Sequence, residues 1–199
     1  MPHVRVAVAF HSGFGHTARQ AEAVARGAGL TDGAQASLHD VTDLDDRLWP
    51  ALDTADAIVF GAPTYMGAPS AAFQAFAEAT SPIWQRRGWQ DKLAAGFTNS
   101  AGTNGNKDNA LGALMVLAAQ HGMVWVPLVL LPGGEYLSGG GRDDLNRLGG
   151  STGAMAQSSA DLGADRAPAD SDLRTAEHLG ARVAQAALRF EHGRAAVAV

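Results

Sequence analysis

Apolar residues fall into short β-rich runs, and between them polar and apolar positions recur at helical period. Val4 to Phe10 (VRVAVAF) is the first such run and leads straight into Ser12-Gly13-Phe14-Gly15, which predicts a strand and a tight turn. From Thr17 to Ala28 small and apolar residues alternate with Arg19, Gln20, Glu22 and Arg26, with Gly29 at the expected helix stop. Ala34 to His39 reads as a weaker strand, Leu44 to Leu52 as a short helix, and Ala57 to Phe60 as a compact strand entering Gly61-Ala62-Pro63-Thr64-Tyr65. A helix over Ser70 to Ala79, a strand over Lys92 to Phe97 and a helix over Asp108 to His121 follow. Met123 to Leu131 (MVWVPLVLL) predicts a fifth strand, apolar enough to be covered on both faces, with Pro127 placing it towards an edge. Pro132 to Asp170 is Gly-, Ser- and Asp-rich without a sustained period and reads as a long loop, functional or disordered. Asp172 to Phe190 restores a helix with Leu173, Ala176, Leu179, Val183 and Ala187 on one face, and residues 191–199 read as a frayed tail.

Alternating βαβα units with short connections predict an α/β fold, a doubly wound, mostly parallel five-stranded sheet with helices on both faces. The whole chain, residues 1–199, reads as a single domain with no internal repeat. In such sheets ligands bind beyond the carboxyl ends of the strands. Here the loops after the first, third and fourth strands are built of Gly, Ser, Thr and Asn with almost no charge, and they are expected to converge on one crevice.

Composition narrows the classes. There is no cysteine, which excludes disulfides and thiolate metal sites. A net charge of −5, with the cations scattered, offers no field for nucleic acid. No stretch approaches a membrane span and no basic leader precedes Val4, so a soluble, cytoplasmic protein is expected. Charged residues are 18% of the chain, against about 25% in soluble domains, which points to surface covered by partner subunits, although Ala and Gly richness lowers the same figure. His3, His11, His39, His178 and His192 have no ligand-like spacing, and no metal is assigned.

The first loop, His11-Ser12-Gly13-Phe14-Gly15-His16-Thr17, opens a helix, whose free N–H groups and positive dipole end suit an anion. Ser12 and Thr17 add hydroxyls, and no Lys or Arg lies in the turn, which favours a terminal monophosphate over a triphosphate; the Walker Gly-Lys-Ser/Thr ending is absent. Gly13 to Ala18 also fits the loose dinucleotide fingerprint, with Asp40 as a ribose acid, and the glycines alone would serve a plain turn. Pro63-Thr64-Tyr65-Met66-Gly67 places an aromatic and a thioether where they would wall a flat ring, or it is an ordinary turn. Thr98-Asn99-Ser100-Ala101-Gly102-Thr103-Asn104-Gly105 offers hydroxyls, amides and N–H groups to a planar heterocycle, or it is a solvated loop.

Taken with Trp84-Gln85-Arg86-Arg87-Gly88-Trp89-Gln90-Asp91-Lys92-Leu93 and His121-Gly122-Met123-Val124 before Val126-Pro127, these loops resemble one family. It is the flavodoxin-like NAD(P)H:quinone oxidoreductases of type IV, the tryptophan-repressor-binding-protein family, and the likeness runs from residue 4 to about residue 185. The resemblance implies a flavodoxin-like strand order 2-1-3-4-5, FMN as cofactor, NADH or NADPH as co-substrate, a quinone as acceptor, and a homo-oligomer, dimer or tetramer. It places the FMN phosphate at Ser12, Gly13, Phe14, Gly15, His16 and Thr17. It lays the ribityl chain and ring along Pro63, Thr64, Tyr65, Met66 and Gly67, and the ring edge at Thr98, Asn99, Ser100, Ala101, Gly102, Thr103 and Asn104. His121 matches the flavin-side histidine, and Trp84 a tryptophan of the pocket where nicotinamide and quinone stack. The chain departs from the family in three places: a third loop one residue longer, Phe14 where tyrosine is common, and a divergent stretch from Ser138 to Asp165.

Other roles for the same residues are a helix-end cap for His121 and a subunit-interface position for Trp84 and Trp89. Rival functions are an electron-carrier flavodoxin, for which the charge of −5 is modest, and an FMN-binding scaffold. A short-chain dehydrogenase would need Tyr-x-x-x-Lys, and neither Tyr65 nor Tyr136 has Lys four residues later.

Overall fold

In the computed structural model, which describes residues 3–197, the apolar runs assemble into one sheet. In chain order the elements are β1 (Val4–Phe10), α1 (His16–Gly29), β2 (Ala34–Asp40), α2 (Leu48–Thr54), β3 (Ala57–Tyr65), β4 (Ala68–Pro69), α3 (Ala71–Ala79), α4 (Ser81–Gln85), β5 (Leu93–Ser100), α5 (Lys107–Gln120), β6 (Val124–Trp125), β7 (Ala154–Gln157) and α6 (Asp170–Val197). The strand order is β2-β1-β3-β5-β6, parallel throughout, with β7 pairing parallel to β5 and the short β4 antiparallel to the end of β3. This is the flavodoxin-like winding expected from the sequence.

Strand alternation explains the two layers. Val4, Val6, Val8 and Phe10 face one way with Ala57, Val59, Leu93, Ala95 and Phe97, and α1 and α6 cover them. Ala7, Ala9, Ile58, Phe60, Ala62 and Ala94 face the other way, under α2, α3, α4 and α5. The first layer is thin where α1 and α6 cross: a Cβ on Gly27 would strike the Glu177 carbonyl oxygen, and one on Gly180 the Val24 carbonyl oxygen. Glycine at both positions is what lets two backbones touch.

Three expectations are corrected. The fifth strand does not run from Met123 to Leu131. Only Val124 and Trp125 form β6; the Val126 N–H still reaches the Ala94 carbonyl at 2.7 Å, and then Pro127, which has no N–H to give, ends the ladder. Val129 adopts a positive φ of 51°, and the chain leaves the sheet. It returns as β7, where Ala154–Gln157 pair with Phe97–Ser100, so the stretch Pro132–Asp170 holds a strand rather than one uninterrupted loop. The excursion is organised around buried Asn146, whose side-chain amide donates to Leu130 O (3.1 Å) and Gly150 O (2.9 Å) while its N–H donates to Thr175 Oγ1 (2.8 Å). Finally, of the tail expected over 191–199, residues 191–197 are the last turns of α6, and 198–199 lie outside the described residues.

Candidate flavin site

Three strand ends build the site. β1 ends at Phe10, and the chain turns through Ser12–Gly15 into α1, with Gly15 left-handed at φ 83° as its N-cap. The Ser12 hydroxyl accepts the Ala18 N–H at 3.0 Å and so closes the turn. Among the described residues, the backbone N–H groups of Ser12, Gly13, Phe14, Gly15, His16 and Thr17 donate to no protein acceptor. Six consecutive free donors at a helix N-terminus form an anion cradle. The Tyr65 hydroxyl lies where a Cβ on Gly13 would sit, so a larger residue there would have to displace the Tyr65 ring.

β3 is longer than its apolar core and carries Pro63, Thr64 and Tyr65 to the sheet's carboxyl edge. β5 likewise runs on through Thr98, Asn99 and Ser100. The two ends are bolted together: the Thr98 hydroxyl donates to Ala62 O at 2.7 Å, so the Thr64 hydroxyl must donate the 2.7 Å bond between the two threonines. Tyr65 lies edge-on to Phe14 at 6.2 Å between ring centroids, and partial burial raises its phenol pKa. Met66 (φ 49°) and Gly67 (φ 81°) turn the chain back, held by Asn109 Nδ2 donating to Gly67 O at 2.5 Å.

Between these ends lies a cavity of about 570 Å³, lined by Phe14, His16, Thr17, Pro63, Thr64, Tyr65, Met66, Asn99, Ser100 and Ala101, and by Ser158, Ala160, Leu162 and Gly163. Its volume is that of a cofactor pocket, and its walls carry no carboxylate, Lys or Arg. Ten of the residues singled out in the sequence thus meet at one cavity. Ser12, Gly13, Gly15, Gly67 and Thr98 do not line it, and Gly102, Thr103 and Asn104 form an exposed loop after its β5 wall. The wall from Ser158 to Gly163 is one that sequence reasoning misses. It follows β7 and is tied in by Asn99 Nδ2 donating to Ser158 Oγ (2.9 Å), by His16 Nε2 bonding Leu162 O (2.9 Å) and by Arg19 donating to Ala164 O. Its only sequence signal is a Ser- and Gly-rich composition.

His121 and Trp84 lie elsewhere. They share a separate hollow of about 420 Å³ with Gln85, Arg87, Gln90, Gln120 and Gly122, and no residue lines both spaces. Trp84 is 52% exposed, whereas His121 is buried beside Trp89, with ring centroids 4.6 Å apart. The Thr80 hydroxyl donates to Ala77 O (2.7 Å), so the ring donates from Nε2 to Thr80 Oγ1 (2.9 Å), and Nδ1 is left buried with no protein partner. Burial lowers the His121 pKa, which favours the neutral ring. Trp89 is fully buried and donates from Nε1 to Asp53 at 2.9 Å, which makes it a core residue rather than an interface one.

The lining is compatible with FMN. A run of free N–H groups would take its phosphate, a half-aromatic wall its ring, and the amide-rich end of β5 its polar edge. An uncharged lining suits a ligand whose charge is confined to one end.

Comparison with known proteins agrees. The family described as NADPH-dependent FMN reductase matches residues 15–135, more than half of the chain. A protein named flavodoxin FldP from Pseudomonas aeruginosa (strain UCBPP-PA14) is 45% identical, over 91% of this chain and 95% of its own length. A protein named NAD(P)H dehydrogenase (quinone) from Aromatoleum aromaticum is 31% identical over 97% of this chain and all of its own. The crystal structure of a WrbA-like flavodoxin from Agrobacterium tumefaciens superposes with a TM-score of 0.72 at 43% identity, covering 94% of this chain and 98% of that one. The chain belongs to the NADPH-dependent FMN reductase family, in its flavodoxin-like, WrbA-type branch.

Proposed function

We propose that the protein is an FMN-dependent oxidoreductase that draws a hydride from NADH or NADPH and passes two electrons to a quinone. The observation that carries this reading is the run of six free N–H groups, Ser12 to Thr17, beside a neutral cavity of cofactor size. When bound, FMN supplies the reversible two-electron chemistry. The chain's own residues bind, orient and shield it. The first loop holds the phosphate through backbone donors and the positive end of α1. The Thr64–Thr98 bond fixes the spacing of the β3 and β5 ends, so the ring is clamped between rigid strands rather than mobile loops. Phe14 and Met66, 77% and 104% exposed, form an apolar rim that a nicotinamide or quinone ring would cover.

His121 and Trp84 are assigned to the acceptor side. Their hollow is outside the cavity of their own subunit, so this role requires another subunit to bring its cavity against them, in a homodimer or homotetramer. Neutral His121, whose Nδ1 carries a lone pair and no proton, would then accept a hydrogen bond from the hydroxyl of the reduced acceptor. Trp84 would supply a ring face.

The test is an absorbance spectrum after FMN is added and free flavin removed, followed anaerobically by NADH or NADPH and then benzoquinone. Flavin that is retained, bleached by the nicotinamide and restored by the quinone is the expected result. The 45% identity to a protein named flavodoxin favours a second reading, a one-electron carrier; flavin retained but not bleached would establish that instead. Ser12→Ala with Thr17→Ala removes the clasp on Ala18 and a buried hydroxyl, each costing about 1–3 kcal/mol. Unchanged FMN retention in that double variant would sink the phosphate assignment.

A further inference from the structure

Lys107, the first residue of α5, is 1% exposed and lies under the loop that follows β5. Its ammonium donates to three successive carbonyls, Gly102 O at 2.6 Å, Thr103 O at 3.0 Å and Asn104 O at 3.5 Å. The preceding carbonyl, Ala101 O, takes Gln157 Nε2 at 3.1 Å. Three consecutive C=O groups thereby point at buried Lys107 and the one before them at Gln157. In a trans peptide the C=O and N–H point in opposite directions, so the N–H groups of Thr103, Asn104 and Gly105 turn away from Lys107 and that of Gly102 turns away from Gln157. Among the described residues none of the four donates to a protein acceptor.

The charge itself is also unmatched. Lys107 makes no ion pair among the described residues. The acid whose field reaches it, Asp172, is committed to Arg147 through bonds of 2.7 and 2.6 Å. A desolvated ammonium held only by dipoles, in a protein of net charge −5, puts positive potential where no free carboxylate answers it.

We infer that Lys107 is a positioning residue for the flavin site: it sets the third loop with its amides outward, and its buried charge favours the anionic, reduced form of the ring over the oxidised one. This rests on the FMN reading above. The physics is that of preorganised donors aimed at developing negative charge, which bind the charged form more tightly than the neutral one.

The experiment uses the full-length protein with FMN, comparing wild type, Lys107→Met and Lys107→Arg by flavin-fluorescence titration, by midpoint potential under anaerobic spectroelectrochemistry, and by circular dichroism to verify folding. Wild type is titrated first; failure to bind FMN there removes the flavin reading and this inference with it. Given binding, K107M is expected to weaken oxidised FMN about tenfold and reduced FMN about a further tenfold. For a two-electron couple that second factor lowers the potential by about 30 mV. K107R, which keeps the charge, is expected to retain more than half of that difference. An unchanged potential in K107M overturns the inference even if affinity falls, because a merely structural prop weakens both forms alike. Should K107M fail to fold, K107Q against K107R gives the same comparison, and equal potentials in those two overturn it.

Discussion

Arg147→Met removes one partner of a nearly dry ion pair. Arg147 donates from Nε and Nη2 to the two oxygens of Asp172 at 2.7 and 2.6 Å, and the side chains are 12% and 2% exposed. The substitution leaves the Asp172 carboxylate buried with only the Gln157 N–H, at 2.9 Å, as company. Breaking a buried pair from one side costs about 3–5 kcal/mol, a large part of the 5–15 kcal/mol that holds a typical domain together. At about 2–4 °C per kcal/mol for a chain of this size, Tm should fall by about 6–20 °C. The pair joins the excursion (Arg147) to α6 (Asp172) and to β7 (Gln157), whose side chain in turn holds Ala101 O beside the cavity. FMN affinity should therefore fall together with stability. Urea unfolding followed by circular dichroism gives the first quantity and fluorescence titration the second. The double variant R147M/D172N, with no stranded charge, should recover most of the lost stability. An R147M protein within about 1 kcal/mol of wild type would refute the reasoning, because it would mean that the Asp172 charge is solvated without its partner.

Three further outcomes are expected. Burial lowers the Lys107 pKa from 10.5 to about 8, with Asp172 opposing and Arg147 adding to the drop. The unfolded chain then binds more protons than the folded one between those values, so wild type should gain stability on Lys107→Met as pH rises through that window, and a flat difference in Tm would contradict it. His121 has its pKa lowered by burial, so the fold favours the neutral ring and loses stability as pH falls below about 6.5; His121→Gln should lose less over the same acid titration. Gly27→Ala gains about 1 kcal/mol of helix propensity but drives a methyl into the Glu177 carbonyl, so a net loss of about 1–3 kcal/mol is expected in urea unfolding; stabilisation would refute the close crossing of α1 and α6.

Most helix and strand positions are legible in the sequence because period and burial coincide. VRVAVAF alternates between two buried faces, and the face of Leu173, Ala176, Leu179, Val183 and Ala187 is the one that packs on the sheet. The first loop is legible for a similar reason: glycines and hydroxyls before an amphipathic segment define a strand, turn and helix without reference to distant residues. MVWVPLVLL misleads because hydrophobicity reports burial, not pairing. Leu128 is buried, yet it pairs with Ser151 in the excursion rather than with the sheet. The sheet position expected of it goes to Ala154–Gln157, a segment too short and too mixed to announce itself.

By itself, the sequence determined the βαβ alternation, the polar loops at three strand ends and the absence of thiol chemistry, because each depends on neighbours within a few residues. Tertiary structure alone decided the fourth wall at Ser158–Gly163, the separation of His121 and Trp84 from that cavity, and the burial of Lys107 under its loop. Those features depend on where a chain lands after long excursions. Arg147 and Asp172 stand 25 positions apart, and nothing local to either marks them as partners. Their contact exists only because α6 folds back across the sheet, and residue spacing carries no record of which distant groups then share a dry interior.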